Sequence, residues 1–130
     1  MMAVVVGCLV ALFSVALDAT AGGIRVRCEE RPRVPRSKID VHGSGFTPGA
    51  LYSAEVTSGG ADPVASGQQA ALVNGEVSFD FDSDHGNVLA GATAISPYFI
   101  PAVAAPKATG RILNAAGNYV GSVTATCVIK

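Results

Sequence analysis

The chain has 130 residues, a formal net charge of −1 and only 15% charged residues. A chain of that length has room for one domain of ordinary size. A nearly neutral chain also lacks the strongly basic face that binding to nucleic acid generally requires. We therefore expect no DNA or RNA partner.

The first 21 residues have the features of a signal peptide. Residues 3–17 form an apolar run, and Ala19-Thr20-Ala21 then supplies the small-x-small pattern that signal peptidase recognises. We predict cleavage after Ala21, which leaves one domain over residues 22–130 in a secreted or periplasmic protein with no membrane span. Retention of the segment as a membrane anchor is the alternative.

Two cysteines remain outside that segment, Cys28 and Cys127, one near each end of the predicted domain. An even pair of cysteines in an exported chain predicts a disulfide. Residues around both cysteines alternate between apolar and polar, which places both sulfurs on the core side of their strands. Two buried free thiols are the alternative.

The domain reads in chain order as a series of half-buried strands joined by turns. The apolar positions that alternate with polar ones, and so predict the core face, are Ile24 and Val26; Ile39 and Val41; Tyr52, Ala54 and Val56; Val77, Phe79 and Phe81; and Val123, Ala125 and Ile129. Asn74-Gly75 predicts a two-residue type I′ turn. That turn would put Leu72 opposite Val77 and would place Leu72 and Ala70 on the core face. A last hairpin is predicted around residues 114–118, with its final strand beside the first.

One segment resembles a known family. A strand, then Gly43-Ser44-Gly45-Phe46-Thr47-Pro48-Gly49, then an alternating strand is similar to the opening of bacterial immunoglobulin-like modules of the IPT/TIG type, over Ile39 to Val56. The resemblance implies an all-β fold, a single immunoglobulin-like antiparallel β-sandwich of about seven strands. It also implies a non-catalytic structural or binding role with an unknown envelope or extracellular partner, and it supplies no catalytic residues.

Basic residues are concentrated early in the domain, where six of the nine fall between Arg25 and Lys38. A binding surface for anionic polysaccharide or lipid head groups would use Arg31, Arg33, Arg36 and Lys38. The alternative is a solvated loop partly neutralised by neighbouring acids. Later in the chain, the uncharged apolar segment 86–106 predicts core strands joined by loops. The alternative is that residues 97–106 form an exposed docking patch.

Three aspartates form the best candidate metal site. Asp80, Asp82 and Asp84 occupy the first, third and fifth positions of a calcium-binding loop and offer the oxygen ligands that calcium prefers. His85, however, stands where that loop has glycine, and Gly91 stands where it has glutamate. The two interpretations are a calcium-dependent carbohydrate- or surface-binding domain and a polar strand face that runs into an aspartate-rich turn.

Catalytic residues are sparse. The predicted domain contains only two histidines, His42 and His85, and no serine in a Gly-x-Ser-x-Gly motif. We therefore expect a protein that is not an enzyme. A small hydrolase, the alternative, would need one of these histidines beside a carboxylate in a cleft.

Overall fold

The computed structural model describes residues 23–130, and the predicted signal peptide lies outside these residues. Within this range the chain forms ten strands and one short helix. Their bounds are β1 Ile24–Arg31, β2 Arg36–Gly43, β3 Leu51–Ser58, β4 Val64–Ala65, β5 Gln69–Ala70, β6 Val77–Asp82, α1 His85–Leu89, β7 Thr93–Ala94, β8 Lys107–Asn114, β9 Tyr119–Thr126 and β10 Val128–Ile129.

The strands form two open sheets that pack face to face, so the predicted all-β sandwich is confirmed. The first sheet has the order β9-β8-β3-β4, with β5 also paired to β3, and the second has the order β10-β1-β2-β6-β7. Most pairs are antiparallel, as expected, but the short β10 and β7 run parallel to β1 and β6. The described residues form six strands of six to eight residues and four strands of two residues, whereas about seven strands were expected.

The core lies between the sheets and uses the faces that the alternation predicted. Ile39, Ala54 and Phe81 are fully buried, and Phe79 is 1% exposed. Burial of a phenylalanine or isoleucine side chain of this kind contributes about 1.5–3 kcal/mol relative to leaving it in water. Phe46 closes one end of the core by packing edge-on against Tyr52, with ring centroids 4.8 Å apart.

A disulfide joins Cys28 of β1 to Cys127, as predicted, and links residues 99 positions apart in sequence. Beside it, β10 pairs with β1 at Glu29 and Glu30, so the end of the chain is held against the first strand. Closing a loop of this length removes about 4–5 kcal/mol of conformational entropy from the unfolded chain. Ile129, predicted to face the core, is instead 50% exposed.

The turn at Asn74-Gly75 differs from the prediction by one residue. Gly75 donates its backbone N–H to Leu72 O and has a positive φ of 82°, whereas Asn74 does not have a positive φ, so the turn is not type I′. Leu72 N donates to Glu76 O, and Leu72 therefore faces Glu76 rather than Val77. The shift places Ala71 in the core and leaves Leu72 60% exposed.

The segment before that turn also pairs elsewhere. Ala70 lies opposite Leu51 of β3 in the first sheet, while β6 pairs with β2 and β7 in the second. The chain thus crosses between the sheets at this turn. None of the helices described between residues 23 and 130 is long and apolar enough to cross a membrane.

Candidate functional site

The outer face of the second sheet collects most of the charged side chains of its three long strands. We call this surface the charged sheet face; its members are Arg25, Arg27 and Glu29 of β1, Lys38, Asp40 and His42 of β2, and Ser78 and Asp80 of β6. They share a face because the inner positions of the same strands are taken by core residues, and side chains alternate along a strand.

The register aligns these side chains in rows across the sheet. Arg27 lies opposite Asp40, and Asp40 lies opposite Asp80. The next row toward the Gly43 end of β2 is Arg25, His42 and Ser78. Strands in a sheet are about 4.8 Å apart, so each row brings polar groups from three strands within reach of one ligand.

The Asp40–Asp80 pair occupies the centre of this face. Burial, and then hydrogen bonding to Asp80, raise the pKa of Asp40 to about 6, although Lys38 and Arg27 act in the opposite direction. Asp40 Oδ1 is buried and accepts no hydrogen bond from the residues described. Two carboxyl groups side by side are most stable when they share one proton, so the charge of this face changes in the mildly acidic range.

Open grooves surround the pair on both sides. The first groove, of about 290 Å³, runs along β1 and β10, and the second, also of about 290 Å³, lies between β6 and the residues after α1. The third groove, of about 190 Å³, covers the two rows of side chains described above. Asp40 lines the first and third grooves, and Asp80 lines the second and third. The two carboxyl groups are thus accessible to a ligand from more than one direction.

Asp82 belongs to a different arrangement, although the alternation of β6 predicted that it would lie beside Asp80. Its carboxylate is 1% exposed and accepts two hydrogen bonds from Arg36, at 3.0 Å from Nε and 2.7 Å from Nη2. It also accepts bonds from Asp84 N and Asn87 Nδ2. Burial alone would raise the pKa of Asp82, but these hydrogen bonds outweigh it and lower the pKa to about 2.

The three aspartates of the calcium-loop hypothesis have different partners in the structure. Asp80 lies on the charged sheet face, Asp82 is paired with Arg36, and Asp84 caps α1 by accepting a hydrogen bond from Asn87 N at 3.1 Å. Among residues 23–130, no three His, Cys, Asp or Glu side chains are grouped so that they could hold a metal ion. The helix begins at His85, where the calcium loop has its glycine, and Asp84 is its N-cap residue.

The predicted basic surface is partly neutralised by acidic partners. Arg36 is held by Asp82, and Arg31 forms an ion pair with Glu29. Lys38 lies on the charged sheet face, whereas Arg33 lies in the exposed turn between β1 and β2. Arg31 lies opposite Arg36 in the register, on the same sheet face as Lys38, and two of the four basic side chains have acidic partners.

The hydrolase alternative required a histidine beside a carboxylate in a cleft, and His42, which lines the groove of about 190 Å³, has a carboxylate neighbour. His42 Nε2 lies 3.8 Å from Glu76 Oε1, and His42 faces Ser78 in the sheet register, yet within the described range no hydrogen bond joins the imidazole to that hydroxyl. His85 is exposed at the start of α1. A histidine–hydroxyl bond is what activates a serine nucleophile.

Sequence reasoning missed the Asp40–Asp80 pair. Both residues are recognisable as outward positions of their strands, but their contact depends on the pairing of β2 with β6. That pairing joins segments 40 positions apart. Comparison of the chain with protein-family models, curated proteins and solved structures gave no match.

Proposed function

We propose that this chain is an exported, non-catalytic β-sandwich module that binds a partner at the cell envelope through the charged sheet face. The observation that carries the proposal is the alignment of Arg27, Asp40 and Asp80 in one row, with open grooves on either side. A flat face with fixed charges of both signs suits a protein or polysaccharide partner that also carries both signs.

Export is supported by the disulfide, because such bonds persist in oxidising compartments and are rare in the cytoplasm. The similarity to immunoglobulin-like modules is supported by the turn after β2. Gly45 and Gly49 have positive φ values of 80° and 79°, and Phe46 between them is 6% exposed. Modules of that type usually serve recognition or structural roles, which agrees with a face built for binding rather than for catalysis.

The partner is expected to be a macromolecule rather than a small metabolite. The grooves beside the Asp40–Asp80 pair are open to solvent along a sheet face, whereas small-molecule sites are usually concave and mostly apolar. Alternating charges give specificity and a fast encounter more than raw affinity. Binding should therefore weaken as the salt concentration rises.

Co-sedimentation of the oxidised, exported protein with the envelope fraction of its native host tests the proposal. Substitution of Arg27→Ser should reduce retention severalfold. The matched control is Arg111→Ser, which removes one positive charge from β8 in the other sheet. Equal retention of the two variants would contradict the assignment to this face, and no retention of the wild type would contradict binding altogether.

A further inference from the structure

Two exposed segments meet at one end of the sandwich, the end at which β1 stops and β2 begins. One is the turn of residues 32–35, and the other is the loop of residues 97–104; together we call them the apolar end. Ser37 joins them, because its hydroxyl donates to Pro97 O at 2.8 Å and accepts from Ile100 N at 3.1 Å. Ser37 itself is completely buried, so the two segments are held in a fixed relation.

Large apolar side chains project from both segments. Val34 is 66% exposed, Tyr98 is 74% exposed and Val103 is 55% exposed. The loop that carries Tyr98 and Val103 is anchored from below by Phe99 and Ile100, which are 6% and 1% exposed. The backbone that carries the exposed side chains is therefore fixed by buried neighbours. Exposed apolar side chains on a fixed loop usually mark an interaction site.

Positive charge surrounds these side chains. Arg33 lies next to Val34 in the turn and, within the described part of the chain, forms no ion pair. Lys107 is exposed where the 97–104 loop returns to the sheet. Arg31 and Lys130 at the same end share one acid, Glu29, as partner. The exposed acids at this end are Asp62, in the adjacent loop, and Asp84, which follows Ser83 beside Ser37. The exposed cations Arg33, Lys107 and Lys130 outnumber them.

We propose that the apolar end is a second binding surface, which inserts Val34, Tyr98 and Val103 into the head-group region of an anionic lipid membrane. Tyrosine is favoured at that depth because its ring is apolar and its hydroxyl is polar. Arginine beside shallow apolar side chains pairs with lipid phosphate while the side chains enter the acyl boundary. The grooves of the charged sheet face do not include these three residues.

This proposal goes beyond the envelope partner and is independent of it, because lipid binding uses different residues at a different place in the fold. The charged sheet face would remain available for its partner while the apolar end contacts the membrane. Pure lipid vesicles separate the two proposals, since they contain no protein or polysaccharide partner. Failure of the vesicle experiment would leave the charged sheet face as the proposed partner site, because the comparison of Arg27→Ser with Arg111→Ser in the envelope experiment tests that face alone.

The first test is sedimentation of the oxidised protein with vesicles of phosphatidylcholine alone or mixed with phosphatidylglycerol. The wild type should be retained on the anionic vesicles at least tenfold more than on the neutral ones. Val34→Ser, Tyr98→Ser and Val103→Ser together should reduce retention at least tenfold, and Arg33→Ser alone should reduce it about fivefold. These side chains are exposed, so an unchanged melting temperature shows that the fold is kept.

The opposite end of the molecule supplies a matched control. Leu72 and Val73 are 60% and 93% exposed there, and Leu72→Ser with Val73→Ser should leave retention unchanged. The proposal is overturned if the wild type does not bind anionic vesicles, if the control loses binding as the triple variant does, or if the triple variant binds normally. It is also overturned if the apolar end mediates only self-association, seen by sedimentation velocity as dimers that the triple variant lacks.

A spectroscopic test locates the contact directly. The chain contains no tryptophan, so Tyr98→Trp introduces a single reporter at the apolar end. Its emission should shift to shorter wavelength when anionic vesicles are added. Tyr119→Trp, at a site 59% exposed on the first sheet, should show no shift. A shift at the second position and none at the first would overturn the proposal.

Discussion

Replacement of Asp40 by asparagine should change how the stability of the protein depends on pH. In the native protein the pKa of Asp40 is raised from 3.8 to about 6, first by burial and then by Asp80. The folded state therefore holds a proton that the unfolded chain has already lost between pH 3.8 and 6. A raised native pKa contributes stability that is complete below pH 3.8 and is lost as the pH rises through 6.

The size of the effect follows from the shift. A change of about two pKa units corresponds to about 3 kcal/mol at 1.36 kcal/mol per unit. Because part of the Asp40 side chain reaches solvent, we expect a loss of about 2–3 kcal/mol between pH 4 and pH 7. Asparagine resembles the protonated acid in shape and cannot ionise. Asp40→Asn should therefore keep at pH 7 the stability that the wild type has only near pH 4.

Urea unfolding of the oxidised protein, followed by circular dichroism at several pH values between 4 and 7, measures this difference. The wild-type free energy of unfolding should fall across the range, whereas that of Asp40→Asn should stay nearly flat. His42→Gln, a substitution on the same face of β2, serves as a control and should keep the wild-type slope. Parallel curves for the wild type and Asp40→Asn would refute the reasoning about the Asp40–Asp80 pair.

Three further predictions concern stability. Asp82→Asn should lower the free energy of unfolding by about 3–5 kcal/mol, because it leaves the guanidinium of Arg36 without its carboxylate, and urea unfolding at neutral pH measures this loss. The native pKa of Asp82 is about 2, so the stability that its ion pair contributes should be lost as the pH falls from 4 to 2. Cys28→Ala with Cys127→Ala should lower the free energy of unfolding by about 4–5 kcal/mol, and mass spectrometry should find the wild type two hydrogens lighter than its reduced form. Gly75→Ala should lower the melting temperature more than Gly49→Ala. Both glycines have a positive φ, but a Cβ at Gly75 would lie 2.7 Å from a backbone carbonyl oxygen, whereas a Cβ at Gly49 would have nothing within 4 Å. The strain of a positive φ alone should cost Gly49→Ala about 1–2 kcal/mol. Equal losses at the two glycines, a free energy of unfolding unchanged by removal of the cysteines, or a neutral Asp82→Asn would contradict the corresponding step.

The core of the fold could be predicted because its signals are local. Alternation in β2, β3 and β6 marks which residues face inward without any knowledge of which strands pair. The disulfide was predictable for a similar reason, since Cys28 and Cys127 were the only cysteines of the domain and both stood at inward positions. These features depend on the two-residue alternation along a strand and on the number of cysteines, not on which strands pair.

The candidate site could not be predicted because it depends on contacts between distant segments. Asp82 stood at an outward position by alternation, but Arg36, 46 residues earlier, draws its carboxylate into a buried ion pair. The pairing of β2 with β6 that creates the Asp40–Asp80 pair was hidden by the Asn74-Gly75 signal. That signal suggested a local hairpin partner for β6 and gave a register wrong by one residue.

A covalent capture experiment tests the central claim, binding through the charged sheet face, most directly. A photoreactive phenylalanine analogue at Ser78, at the edge of the rows, is compared in intact cells of the native host with the same analogue at Ser122, on the outer face of the other sheet. The account predicts a discrete cross-linked species from position 78 and none from position 122. Cross-linking from position 122 alone, or from neither position, would contradict it.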